Sequence, residues 1–248
     1  MSGITIWTLE SDYDRDAVKC LAEKLIHYRS LPNISIRALG KSQIPKRIKG
    51  ENDPAKALSR AVELYLKEDK CVIFVIDKDG VMSSHQRQKE PNSLINQVQR
   101  IVNDKDFRGR VHLALAVCEL EAWLLIDCAG IFCYFAHTKN KYKQDCRDAI
   151  SAKKDIVQLI GKYQKGNTEL ITEAVSGGKG VKEYLTEFSK DILKTLNPKM
   201  KDKDIADEKY RERLSPEIAK FIEINADTVK RNNSLQYLGK LISQCQII

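Results

Sequence analysis

Residues 71–80 read Cys-Val-Ile-Phe-Val-Ile-Asp-Lys-Asp-Gly, an unbroken apolar run that stops at two carboxylates and a glycine. Such a run, with no polar alternation, marks a strand covered on both faces, as in the parallel sheet of an α/β protein. Gly80 lets the backbone turn sharply off the strand end. Two further runs resemble it. Residues 4–9 (ITIWTL) lead into Glu10-Ser-Asp-Tyr-Asp14, and residues 111–117 (VHLALAV) lead into Cys-Glu119-Leu-Glu121-Ala-Trp-Leu-Leu-Ile-Asp127.

The stretches between these runs have helical spacing. Val18, Leu21, Leu25 and Ile26 place one apolar stripe on 15–28, and Leu94, Ile95, Val98, Ile101 and Val102 place another on 91–102. Between them lie an alternating strand at 34–39, a basic loop with Lys46 and Arg47, and a helix opened by Asp53-Pro54 with Ala57, Leu58, Ala61, Val62, Tyr65 and Leu66 inward. This order predicts an α/β fold with a mostly parallel sheet flanked by helices. Beyond about residue 131 the strand signal fades, and helices separated by polar hinges follow. The expected division is a core at 1–130 and a helical, partly basic extension at 131–248 packing on that core.

Composition excludes several classes. Hydrophobic residues make up 42% and charged residues 31% of 248 residues, as in an ordinary soluble globular protein rather than a disordered one. The N-terminus lacks the layout of a signal peptide and no apolar run has spanning length, so a cytoplasmic protein without a membrane segment is expected. Seven scattered cysteines lack CxxC spacing, and the four histidines show no HxxxH or His/Cys pairing. Reduced, buried structural thiols are therefore expected rather than disulfides or zinc ligands.

The net charge of +8 is uneven: residues 128–203 hold fifteen Lys/Arg against nine Asp/Glu. A basic excess beside an acidic pocket suits a polyanionic substrate such as nucleic acid. Lys46, Arg47, Lys139, Lys141 and Lys143 are the candidate contacts, and a solvated helical surface is the plainer alternative. Ser176–Gly180 (SGGKG) lacks the full phosphate-loop pattern and reads as a connection between helices. Lys78 is expected to point away from its neighbouring aspartates, and His85 to lie on a turn.

Three acidic groups at three strand ends raise one another's pKa unless a cation neutralises them. Carboxylate oxygens form the donor set preferred by Mg²⁺ or Mn²⁺. Glu10, Asp77 with Asp79, and Glu119 with Glu121 are the three acidic groups such an ion would hold together. Asp14 is placed in support, and Asp12 is expected to cap the following helix.

These residues resemble the TOPRIM family. Glu10 and Asp14 match the ends of its E-G-x-x-[DE] motif, with Ser11 in place of glycine, and Asp77 and Asp79 match its D-x-D. Glu121-Ala-Trp-Leu-Leu-Ile-Asp127 and Ser215-Pro-Glu-Ile-Ala-Lys-Phe221 resemble motifs of short bacterial TOPRIM-like proteins related to OLD-type nucleases. The resemblance implies a Mg²⁺-dependent nuclease acting on DNA or RNA, with Asp77 and Asp79 as direct metal ligands, Glu121 as a further ligand or Glu119 in its place, and Glu10 as catalytic acid/base or second-metal ligand. It also implies a role in anti-phage defence beside an ABC-type ATPase, since this chain carries no Walker motif; a homo-oligomer is left open. Two other readings are a non-catalytic TOPRIM-like scaffold that binds nucleic acid or a partner, and a phosphohydrolase or phosphotransferase on small nucleotides.

Overall fold

The structure, a computed structural model, describes residues 2–31, 34–46, 53, 55–78, 88–142 and 146–247. Asp79, His85, Arg47 and Lys143 lie outside the described residues. The chain divides into two units: Met1–Val117 with Ser234–Ile248, and Cys118–Asn233. The boundary thus falls before the Glu-Ala-Trp-Leu-Leu segment rather than after it. The C-terminal helix belongs with the sheet instead of with the helical extension.

In the first unit the expected α/β fold is present. Strands β1 (Ser2–Thr8), β2 (Ile34–Leu39), β3 (Cys71–Asp77) and β4 (Val111–Ala116) form one sheet in the order β2-β1-β3-β4, with every pairing parallel. Helices α1 (Asp12–Tyr28), α2 (Lys56–Glu68) and α3 (Leu94–Val102) connect them. Residues 71–76 of β3 are all buried, as a strand covered on both faces requires.

Alternation along the strands separates two cores. Trp7, Val72, Phe74, Ile76 and Val111 point toward α2 and α3, where they join Leu58, Val62, Ile95 and Val98. Trp7 stacks on Phe74 with ring centroids 5.7 Å apart, and its indole N–H donates to the Gly40 carbonyl at 3.1 Å. Burying two such rings contributes about 3–5 kcal/mol each, by the cost of truncating them. The alternate residues, among them Ile4, Ile6, Cys71, Ile73 and Ala114, point to the face occupied by α1 and the C-terminal helix (Asn233–Ile247).

That helix is fastened at several points. Cys71 and Cys245 are joined as a disulfide, Lys70 Nζ donates to the Gln246 carbonyl at 3.3 Å, and Arg29 Nη2 donates to the Gln236 carbonyl at 3.4 Å. A second disulfide joins Cys133 and Cys146 in the other unit. The expectation of reduced thiols is therefore corrected for four of the seven cysteines. Cys71 and Cys245 are 174 residues apart, and the return of the C-terminal helix to the sheet brings them together.

The second unit is helical: α4 (Glu121–Leu124), α5 (Cys128–Thr138), α6 (Cys146–Ser151), α7 (Lys154–Tyr163), α8 (Val181–Leu196), α9 (Asp202–Glu208), α10 (Ser215–Phe221) and α11 (Ala226–Val229). Trp123, Phe132, Tyr163, Tyr184, Phe188 and Tyr210 are its largest buried side chains, and Tyr163 stacks on Phe188 at 4.6 Å. Residues 173–180 form the turn before α8, closed by the Ala174 N–H donating to the Gly178 carbonyl at 2.6 Å, so SGGKG is a connection as expected from its sequence. Among the described residues, no helix is long and apolar enough to cross a membrane.

Candidate metal site at the sheet edge and its acidic counterpart

The strand order fixes where ligand-binding residues should gather. From β1 the chain passes to β2 on one side and then returns to β3 on the other, so the direction of winding reverses between β1 and β3. The crevice beyond the carboxyl ends of two such strands is the usual ligand position in open α/β sheets.

Glu10 and Asp77 occupy these two ends. Thr8 pairs with Val75, and the Leu9 N–H continues the ladder by donating to the Val75 carbonyl at 3.3 Å. Glu10 follows directly. Asp77 closes β3 opposite Ala116 of β4, and the Lys78 N–H donates to the Ala116 carbonyl at 2.8 Å. Both carboxylates are half-buried, whereas Lys78 is exposed. The structure therefore places two expected ligands side by side in the sheet order, at its open edge.

The surrounding loop is held by the first acidic cluster. The cap of α1 is Ser11, whose hydroxyl accepts from the Tyr13 N–H at 3.0 Å. Asp12 does not cap the helix as expected. It accepts instead from the Ser42 N–H at 3.1 Å and hydroxyl at 3.0 Å, which ties α1 to the loop after β2. Gly40 makes this approach possible, since a Cβ there would lie 2.1 Å from Asp12 Oδ1. Asp14 sits in the first turn of α1, where a carboxylate complements the helix dipole. Exposed Lys41 follows the end of β2 directly, and exposed Lys46 comes later in the same connection.

Glu121 is engaged differently. It is 5% exposed, accepts from the Tyr210 hydroxyl at 2.8 Å, and stands 3.7 Å from Lys182 Nζ. Burial by itself would lower the Lys182 pKa, but Glu121, Glu212 and Glu119 outweigh it and hold the ammonium above the ordinary lysine value. Glu121 thus has a protein cation and a hydroxyl to compensate its charge. Cys118 and Glu119 just before it adopt φ values of 60° and 70°, in the left-handed region that favours glycine.

The two segments carrying the family resemblance meet within this unit. Ser215, the first residue of α10, lies with its hydroxyl 2.8 Å from the Tyr210 hydroxyl that holds Glu121. Asp127, at the other end of the Glu-Ala-Trp-Leu-Leu segment, caps α5 through the Gly130 N–H at 3.1 Å, pairs with Arg147 at 2.5 Å and accepts from the Glu223 N–H at 2.8 Å. A Cβ at Gly130 would come within 2.5 Å of the Phe221 carbonyl oxygen, so glycine permits α5 to pass this close. These contacts make Asp127 a positioning group between α5, α6 and the end of α10.

The candidate nucleic-acid contacts are unlike one another. Lys46 is exposed, Lys139 pairs with Glu208, and Lys141 Nζ donates to the Leu196 carbonyl. A cavity of about 610 Å³ in the helical unit is lined by Lys162, Lys165, Asn167, Glu173 and Tyr184 among others, and contains none of the expected site residues. Sequence reasoning missed Lys182 and Tyr210. They lie 61 and 89 residues from Glu121, with no spacing to mark the connection. No family model, curated protein or solved structure matches this chain.

Proposed function

We propose that the chain is a Mg²⁺- or Mn²⁺-dependent nuclease of TOPRIM type that hydrolyses phosphodiester bonds of DNA or RNA. The observation that carries this reading is the placement of Glu10 and Asp77 at adjacent parallel strand ends on either side of the winding reversal. Two half-buried carboxylates there would offer the hard oxygens such a cation prefers. The bound ion would supply charge stabilisation at the phosphate and a nucleophile at neutral pH.

The chain's own groups divide the remaining work. Asp77, with Asp79 beside it in sequence, holds the cation, and Glu10 either shares it or accepts the proton of the attacking water. Asp14 supports Glu10 through the first turn of α1. Lys41 and Lys46 in the connection after β2 hold the phosphate backbone of the polymer. Glu121, expected as a further ligand with Glu119 as its alternative, is instead engaged within the helical unit by Lys182 and Tyr210. An ABC-type ATPase partner and a defence role follow from the family resemblance and belong to the same proposal.

The test is cleavage of labelled plasmid and tRNA by the full chain with Mg²⁺, with Mn²⁺ or with chelator. Metal-dependent cleavage that disappears in Glu10→Ala and Asp77→Ala is expected. Activity indifferent to both substitutions overturns the assignment. Turnover of nucleotides alone would indicate a small-molecule phosphohydrolase, and binding that survives chelation without cleavage a scaffold.

A further inference from the structure

The opposite end of the same sheet gathers a different set of donors. Cys71 opens β3, His112 is the second residue of β4, and Cys245 lies on the C-terminal helix. One ligand atom from each lies within 4.8 Å of the others. Both cysteines are 0% exposed. Among the described residues, the buried Nε2 of His112 has no hydrogen-bond partner. A buried polar nitrogen without a partner is costly, so its position beside two sulfurs requires a reason.

We propose that, when the Cys71–Cys245 disulfide is reduced, Cys71, Cys245 and His112 bind a single Zn²⁺ ion. Two sulfurs and one imidazole nitrogen are the ligand types zinc prefers, and three protein ligands are a recognised zinc complement. The buried Nε2 of His112, without a hydrogen-bond partner among the described residues, is the atom available to a metal beside the two sulfurs. The metal and the disulfide exclude each other. Reduction by a dithiol adds two electrons and two protons across the S–S bond while the reductant closes to its own disulfide, and binding of Zn²⁺ to the two thiols then releases those two protons. In either state a bond network fastens the C-terminal helix to the sheet, but with a different redox requirement.

The experiment is titration of the reduced full chain with Co²⁺, followed by displacement with Zn²⁺. One equivalent is expected to produce the intense near-ultraviolet absorption of thiolate-to-cobalt charge transfer, which carboxylate ligation at the other sheet edge does not give. Cys245→Ser should abolish this absorption, His112→Ala should weaken binding by at least about 100-fold, and Asp77→Ala and Cys133→Ser should leave it intact. Re-oxidation of the wild-type chain should prevent binding. Absence of the band at one equivalent, its survival in Cys245→Ser, or its indifference to His112→Ala would each overturn the proposal. The wild-type titration remains decisive even where Cys245→Ser fails to fold. Peptide mapping of the disulfide in oxidised His112→Ala shows that this variant keeps its local structure.

Discussion

Strand β3 begins at Cys71 and ends at Asp77, and its two ends differ in almost every physical respect. Six residues separate them, roughly 20 Å along an extended strand. At the Cys71 end the C-terminal helix covers the sheet and the donors are sulfur and imidazole, fully or largely buried. At the Asp77 end the donors are half-buried carboxylates. The difference shows how burial selects chemistry. A thiol is neutral and can be covered at little cost, whereas a carboxylate covered without a partner suffers a desolvation penalty large enough to shift its titration. Glu121 shows the third outcome, a buried carboxylate that has acquired Lys182 and Tyr210.

The contrast can be broken at the carboxylate end most severely. Asp77→Ala is expected to lower the Mg²⁺-dependent cleavage rate by at least about a thousandfold, read in single-turnover assays at saturating metal. A loss below tenfold would mean that Asp77 is peripheral to the chemistry. At the sulfur end the effect is on stability. In the oxidised chain, Cys245→Ser should reduce unfolding free energy by about 2–5 kcal/mol, measured by urea denaturation of the two proteins side by side. An unchanged midpoint would show that the apolar face and the hydrogen bonds from Lys70 and Arg29 hold the helix without the disulfide.

Smaller changes sharpen the comparison. Tyr210→Phe removes one donor from buried Glu121 and should cost about 1–3 kcal/mol of stability, seen as a lowered thermal midpoint. No change would mean that Lys182 suffices to compensate the carboxylate. The smallest expected effect is at Lys46. Substitution to alanine should reduce the slope of log affinity for DNA against log salt by about 0.9, while Lys139→Ala, already paired with Glu208, should leave the slope as it was. Equal effects from both would relocate the polymer away from the sheet edge.

The sheet could be read from sequence because its strands are continuous apolar runs, a pattern that few other environments produce. Glu10 and Asp77 could be read with it, since the position of a residue at a strand end survives small errors in element boundaries. The partners of Glu121 could not be read, because Lys182 and Tyr210 reach it through helix packing with no fixed spacing. A position just ahead of a helix suits Ser11 and Asp12 alike as a cap, and only the contact of Asp12 with the loop after β2 leaves that role to Ser11. The pairing of Cys71 with Cys245 depends on a helix that returns to the sheet after an entire helical unit. Charge and hydropathy carry no trace of that return.

The same return has a consequence for biosynthesis. Residues 118–233 leave the ribosome while one face of the sheet is covered only by α1, and the rest of its cover arrives with residues 234–247. The helical unit can therefore consolidate first, and the nascent α/β portion must wait with apolar strands partly uncovered, the interval in which a chaperone has something to hold.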